Sequence, residues 1–177
     1  MHQQTEVAVF GGGCFWCLDA VYGEVRGVTR VEAGYTGGSV PDPTYEQVCT
    51  GETGHAEVVR LEFDPAVISY HDLLEIFFTL HDPTTVNRQG NDVGTQFRSV
   101  IHYQSAEQEK VARKVLAEMA CVWDALIVTQ LAPAASFYPA EECHQNYVEQ
   151  HPLQGYCALV VAPKVEKFRA MYAGRLK

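Results

Sequence analysis

Apolar and polar residues alternate through residues 5–10 (TEVAVF), which predicts a strand, and a run of three glycines ends it. From Cys14 the period changes. Phe15, Leu18 and Val21, flanked by Trp16 and Ala20, recur at helical spacing, so residues 14–25 are read as a helix with Cys14 in its first turn. Residues 27–38 (GVTRVEAGYTGG) read as a second strand closed by a glycine turn, and residues 55–64 (HAEVVRLEFD) as a third. Ser69 with Asp72 three residues on forms a capping box that opens a helix over 70–82, and Ser105 with Gln108 opens another over 106–120. Further strands are expected at 95–103 and 125–131. A helix is expected over 139–150 with Pro139 in its first position, and a last one over 163–172, stopped by Gly174. Two polar stretches, 36–54 and 83–94, read as long loops.

Strands and helices interleave without strict alternation. The pattern predicts an α+β, two-layer sandwich of a mixed β-sheet with packed helices, ferredoxin-like, rather than a doubly wound parallel fold. No repeat, linker or low-complexity tract divides the chain, so residues 1–177 are read as one catalytic domain. Long loops in a compact domain usually mark a binding site. Thirteen basic against twenty-two acidic residues give a net charge of −9. Without a basic cluster, nucleic acid and anionic membrane surfaces are excluded as partners. No apolar run is long enough to span a bilayer, and the opening MHQQTEVAVF lacks the basic start and hydrophobic stretch of an export signal. A cytoplasmic monomer is the expectation.

The six cysteines are Cys14, Cys17, Cys49, Cys121, Cys143 and Cys157, too few for a disulfide scaffold. Cys14 stands out. A thiol reacts as thiolate, and a helix N-terminus offers free N–H groups and partial positive charge that favour the anion. The preceding glycines, Gly13 among them, remove side chains that would block approach. Cys14 and Cys17 form a C-x-x-C after a strand, which suggests a general dithiol–disulfide oxidoreductase, although Phe-Trp is an unusual intervening pair. Zinc held by Cys14, Cys17, Cys143 and His144 is poorly spaced for a tetrahedral site. A phosphate cradle lacks the Lys-Ser/Thr that should follow the glycines. A plain buried cysteine at a tight turn is the bland alternative. Phe15 and Trp16 suit either the core or an apolar box for a methyl or thioether group.

At this point six strings resemble one family, the A-type peptide methionine sulfoxide reductases: GGGCFWC, GYTGG, PTYEQVCTGETGHAEVVRLEFDP, RQGNDVGTQFRS, YPAEECHQNY and GYC. They fall in the family's order and run from about residue 7 to residue 157. The resemblance implies reduction of methionine S-sulfoxide, free or in oxidised proteins, with no metal or organic cofactor and with thioredoxin or another dithiol as reductant. It implies Cys14 as nucleophile, Glu57 as the acid that protonates the sulfoxide oxygen, Tyr45 as a hydroxyl bonding that oxygen, and Asp92 as a pocket carboxylate. It places Phe15 and Trp16 in the methyl box, with Gly13, His55 and Phe97 beside the substrate. Cys157 matches the usual resolving thiol.

Two positions depart from the family's pattern. Cys17 stands where glycine is usual and competes with Cys157 as resolver; Cys157 is preferred because a link within one helix strains the disulfide. Phe97 stands where tyrosine is usual, which removes a hydroxyl and leaves Tyr45 to carry more of the hydrogen bonding. Cys49 is expected in the pocket wall, Cys121 in the core, and Cys143 in a structural role.

Overall fold

A computed structural model of the chain describes residues 4–177; the first three residues, part of the opening read for an export signal, lie outside them. Eight strands are seen: β1 (Glu6–Gly11), β2 (Val28–Thr36), β3 (Ala56–Phe63), β4 (Arg88–Gln89), β5 (Asp92–Val93), β6 (Val100–Tyr103), β7 (Gln130–Pro133) and β8 (Phe137–Pro139). Six α-helices join them: α1 (Phe15–Tyr22), α2 (Tyr45–Cys49), α3 (Tyr70–Leu80), α4 (Ala106–Ala120), α5 (Tyr147–Gln150) and α6 (Ala162–Met171). Six strands form one mixed sheet in the order β7-β6-β1-β3-β2-β8, and β4 pairs with β5 as a small hairpin. Only β6 and β7 run parallel; the other neighbours in the sheet are antiparallel.

Strand alternation sorts the two faces of the sheet. Ala8 and Phe10 on β1, with Leu61 and Phe63 on β3, point into the main core, where they meet Leu18, Tyr22, Leu73, Phe77 and Phe168 from α1, α3 and α6. Val9, Val58 and Val100 pack in a smaller cluster on the opposite face. Phe10 stacks on Phe77 at 5.1 Å between ring centroids. This packing fixes α1 and α3 against β1, the strand that ends at the glycine run.

Both helix caps form as read, the one at Ser69 as a full capping box. The Ser69 hydroxyl accepts the Asp72 N–H at 3.0 Å at the start of α3, and Ser105 accepts the Gln108 N–H at 3.2 Å at the start of α4. Several expectations are corrected. Residues 36–54 are not structureless: Thr44 and Gln47 make a second capping box that starts α2, and 83–94 folds back as the β4–β5 hairpin. The expected strand over 95–103 begins only at Val100, because Thr95–Phe97 turns in a 3₁₀ helix, and the one over 125–131 shrinks to β7. Pro139 ends β8 instead of starting a helix; the 139–150 segment is a strand end, a 3₁₀ turn and α5. Helix α6 continues from a π turn over Cys157–Val161. Local propensity gives no sign of the edge pairing of β8 on β2, which wins here.

Gly11 is where β1 and β3 come closest under the site. A Cβ there would lie 2.8 Å from the Glu57 carbonyl oxygen and 3.0 Å from Val58 and Val100 side chains. We expect Gly11→Ala to destabilise the fold by about 1–3 kcal/mol through overpacking, read as a lower urea midpoint at unchanged slope. An unchanged midpoint would show that the two strands separate freely.

Candidate active site

The glycine run brings β1 to the start of α1 by close approach. A Cβ on Gly12 would meet the His81 ring at 2.9 Å, and Gly13 takes φ +81° while its N–H donates to the Phe97 carbonyl at 3.1 Å. Cys14 follows with extended dihedrals (φ −66°, ψ 129°) and is the N-cap of α1, so it sits just outside the helix rather than within its first turn. Cys14 is buried and lines a cleft of about 880 Å³, together with Asp92, Gln89, Tyr156, Lys164 and Trp123.

Glu57 comes up from β3, opposite Tyr35 on β2. It is 1% exposed, and its Oε1 accepts the Phe15 N–H at 3.2 Å. The carboxyl therefore occupies the free donor at the N-terminus of the helix that presents Cys14. Asp92, on the β4–β5 hairpin, accepts the Tyr156 hydroxyl at 2.6 Å. Tyr45 opens α2, and its N–H donates to Glu141 at 3.1 Å. Phe15 is fully buried, with ring centroids 5.7 Å from Tyr35 and 6.4 Å from Tyr45. Trp16 is half-buried; Tyr147 stacks on it at 3.8 Å and 5°, and its indole N–H donates to His144 Nδ1 at 3.3 Å.

These residues are the strings of the sequence folded into one place, and a family model described as peptide methionine sulfoxide reductase matches residues 6–176. The chain belongs to the peptide methionine sulfoxide reductase family. It is 59% identical over 169 residues to the peptide methionine sulfoxide reductase MsrA of Polynucleobacter asymbioticus, a match that covers 94% of this chain and 89% of that protein. Reduced Mxr1 from Saccharomyces cerevisiae is similar in structure, with a TM-score of 0.83 at 34% identity over 87% of this chain and 90% of that one. Mxr1 in complex with Trx2 gives a TM-score of 0.60 at 26% identity, over 81% and 85%.

The reductase keeps its site dry, and this sets the protons. Burial pushes the Glu57 carboxyl up to about 8; the Phe15 N–H opposes the shift and Asp92 adds to it. Glu57 is thus mostly protonated at neutral pH. Burial, with the charges of Glu57 and Cys17, raises the Cys14 thiol well above its ordinary value, against a lowering by the Trp16 N–H. The helix N-terminus alone was expected to favour thiolate; desolvation outweighs it. Cys17 is also raised by burial, while Lys164 and the Tyr156 hydroxyl pull it down. Cys14, Cys17 and Cys157 are all buried, and the Cys17 N–H donates to the Cys14 carbonyl at 3.2 Å.

Other placements differ from expectation. Both ring nitrogens of His55 are engaged by the 38–40 loop: Nδ1 accepts the Gly38 N–H at 3.0 Å and Nε2 lies 2.6 Å from the Val40 carbonyl. Phe97 meets the site through its carbonyl. Cys121 is exposed rather than in the core, and Cys49 and Cys143 are exposed too. Among the described residues Cys14, Cys17, Cys143 and His144 do not converge as a metal site. The reductase also uses residues that pattern reasoning passed over. Glu141 accepts both the Tyr35 hydroxyl and the Tyr45 N–H, and Gln145 binds the N–H and carbonyl of Ala33 at 2.8 Å each. Their signal was present only as membership of the YPAEECHQNY string.

A carboxyl held neutral in the fold has a signature in stability. The native state keeps the Glu57 proton, whereas an unfolded carboxyl loses it near 4.5, so this contribution is full below about pH 4.5 and is lost as pH rises through about 8. Urea denaturation of the parent and Glu57→Gln across that window should show the parent losing stability relative to the variant. Parallel curves would mean that Glu57 is already ionised in the folded protein.

Proposed function

We propose that the chain acts on the S epimer of methionine sulfoxide, free or in proteins, as one catalytic unit in which Cys14, Glu57, Tyr45 and Asp92 carry the chemistry. The observation that supports this most is the neutral Glu57 carboxyl and the Cys14 sulfur meeting at the same helix N-terminus. The sulfur of Cys14 attacks the sulfoxide sulfur. The oxygen cannot leave as a dianion, so Glu57 donates a proton to it and takes up the thiol's proton in exchange. Methionine departs and Cys14 is left as sulfenic acid; thiol plus sulfoxide gives sulfenic acid plus thioether, with no net proton change. Phe15 and Trp16 hold the methyl group, with Gly13, His55 and Phe97 shaping the surroundings.

Resolution passes through Cys17 and then Cys157. The Cys17 thiol condenses with the sulfenic acid, water leaves, and a Cys14–Cys17 disulfide forms. Cys157 then attacks the Cys17 sulfur and frees Cys14, by ordinary thiol–disulfide exchange. Cys14 is the N-cap and lies outside the helix, which eases the strain expected of a link to Cys17, and the Cys17 N–H holds the two residues one turn apart; this supports the order over the direct attack by Cys157 that the sequence favoured. An external dithiol reduces the last disulfide. The complex of Mxr1 with Trx2 supports a thioredoxin in that role. No other cofactor is required, and we place the enzyme in the cytoplasm as a monomer. The strand order β6-β1-β3-β2, with α1 and α3 on one face, supports reading the core as a ferredoxin-like sandwich.

Cys14→Ser should abolish reduction of methionine S-sulfoxide. Glu57→Gln should lower single-turnover rates by about 10²–10⁴-fold and remove the fall in rate as pH rises through about 8. Rates that survive both substitutions would sink the proposal. Cys17→Ser should leave the first turnover intact, which a general dithiol oxidoreductase would not. After one equivalent of substrate, mass spectrometry should find the 14–17 link first and the 17–157 link later; a 14–157 link at the earliest time point would remove the relay. Phe97→Tyr should raise turnover, and an unchanged rate would deny position 97 a part in oxygen binding.

A further inference from the structure

Asp19 lies outside the chemistry so far described. It sits on α1 one turn after Trp16 and is 4% exposed. A buried carboxylate needs a partner. Its Oδ2 accepts the Asn146 N–H at 2.7 Å, across 127 residues of chain. Asn146 takes a left-handed conformation (φ 52°, ψ 37°), and the next residue is Tyr147, whose ring lies flat on Trp16. Two residues before Asn146 is His144, which accepts the Trp16 indole N–H and packs its ring 4.2 Å from Tyr45. The same short segment thus touches Trp16 at a face and at an edge. Besides the Trp16–His144 bond itself, the segment is tied back to the helix carrying Trp16 by the bond to Asp19.

We infer that Asp19 is a positioning residue for substrate binding: it clasps the turn at Asn146 and so holds Tyr147 and His144 against Trp16. Other anchors of this segment reach different elements, Glu141 to α2 and β2 and Gln145 to β2. Asp19 is the anchor to α1 that does not involve Trp16 itself, and it binds the segment by its backbone at Asn146. A cavity of about 350 Å³ lies beside the bond, lined by Asp19, Asn146, Glu149, Glu24 and Arg169 among others. Glu24 and Arg169 are paired with each other. Burial pushes the Asp19 carboxyl up to about 6, the Asn146 N–H opposing and Glu149 adding to the rise, so the acceptor is charged at neutral pH and the bond is charge-assisted. Loss of the clasp lets the turn relax into the adjoining cavity and frees one face of Trp16.

The inference rests on Trp16 belonging to the substrate wall, and its test includes a reading that needs no turnover. In a Trp123→Phe background Trp16 is the sole indole. Asp19→Ala should shift its emission to the red and raise KM for methionine S-sulfoxide by about fivefold to tenfold, with kcat within about twofold. Asp19→Asn, whose amide oxygen accepts the same N–H, should restore both. Tyr147→Ala should reproduce the rise in KM, and adding Asp19→Ala to it should raise KM no further. If Asp19→Ala lowers only the melting temperature, with emission and KM unchanged, the clasp has no part in binding. Full additivity of the two substitutions overturns the route through Tyr147. Should Asp19→Ala fail to fold, Tyr147→Ala decides alone, and an unchanged KM overturns the inference. An emission shift without a change in KM would instead count against Trp16 as substrate wall and leave the Cys14 chemistry standing.

Discussion

The site depends on one hydrogen bond, from the Phe15 N–H to the buried Glu57 carboxyl. It joins the central strand β3 to the first residue of α1, so the sheet and the helix meet at a point only a few atoms from the Cys14 sulfur. Helix starts are usually satisfied by a Ser, Thr, Asp or Asn on the residue before the helix. Here that residue is Cys14, the proposed nucleophile, and the acceptor comes from elsewhere in the fold. The arrangement leaves the sulfur uncommitted while keeping the helix closed at its end. It also keeps the acid from wandering, because the same carboxyl that would donate to substrate is tethered through its other role.

The layers of the fold serve this junction. Strand β1 must come so close to β3 that only glycine fits at position 11, and the chain must then pass His81 and Gln89 without side chains at 12 and 13. The three glycines answer to three different neighbours. Around them the aromatic rings of Phe15, Tyr35, Tyr45 and His144 exclude water, and this exclusion, more than any charge, sets which groups hold protons. Reactivity of Cys14 is therefore latent in the resting enzyme: a desolvated thiol beside a desolvated acid, each lacking the counter-charge that would ionise it.

Much of this was legible in the chain. The caps at Ser69 and Ser105 depend on residues three apart, and they formed where read. Alternation marked β1, and β-prone runs bounded by glycine turns marked β2 and β3, although β1 and β3 are buried on both faces over much of their length. What was illegible is whatever the sheet edge imposes. β8 is a strand only because β2 offers it a partner, and no local pattern in FYP announces it. The Cys14 thiol was misjudged for a related reason. Position at a helix start can be read from sequence, but the degree of burial that outweighs it depends on β3 and on residues 141–147 arriving from far along the chain. Gln145, which satisfies the Ala33 backbone as a strand would, is a polar residue in a loop until its partner is known.

The π turn at Cys157–Val161 bears on how the last thiol travels. Such a turn carries one residue more than an α-helical turn, and each residue of an α-helix accounts for about 100° of rotation. Were the proposed resolution to release that surplus, Cys157 would swing around the helix axis while Val165 and Phe168, both buried, kept α6 seated in the core. The C-terminal thiol can thus be delivered by rewinding a few hydrogen bonds, without unfolding the element that carries it.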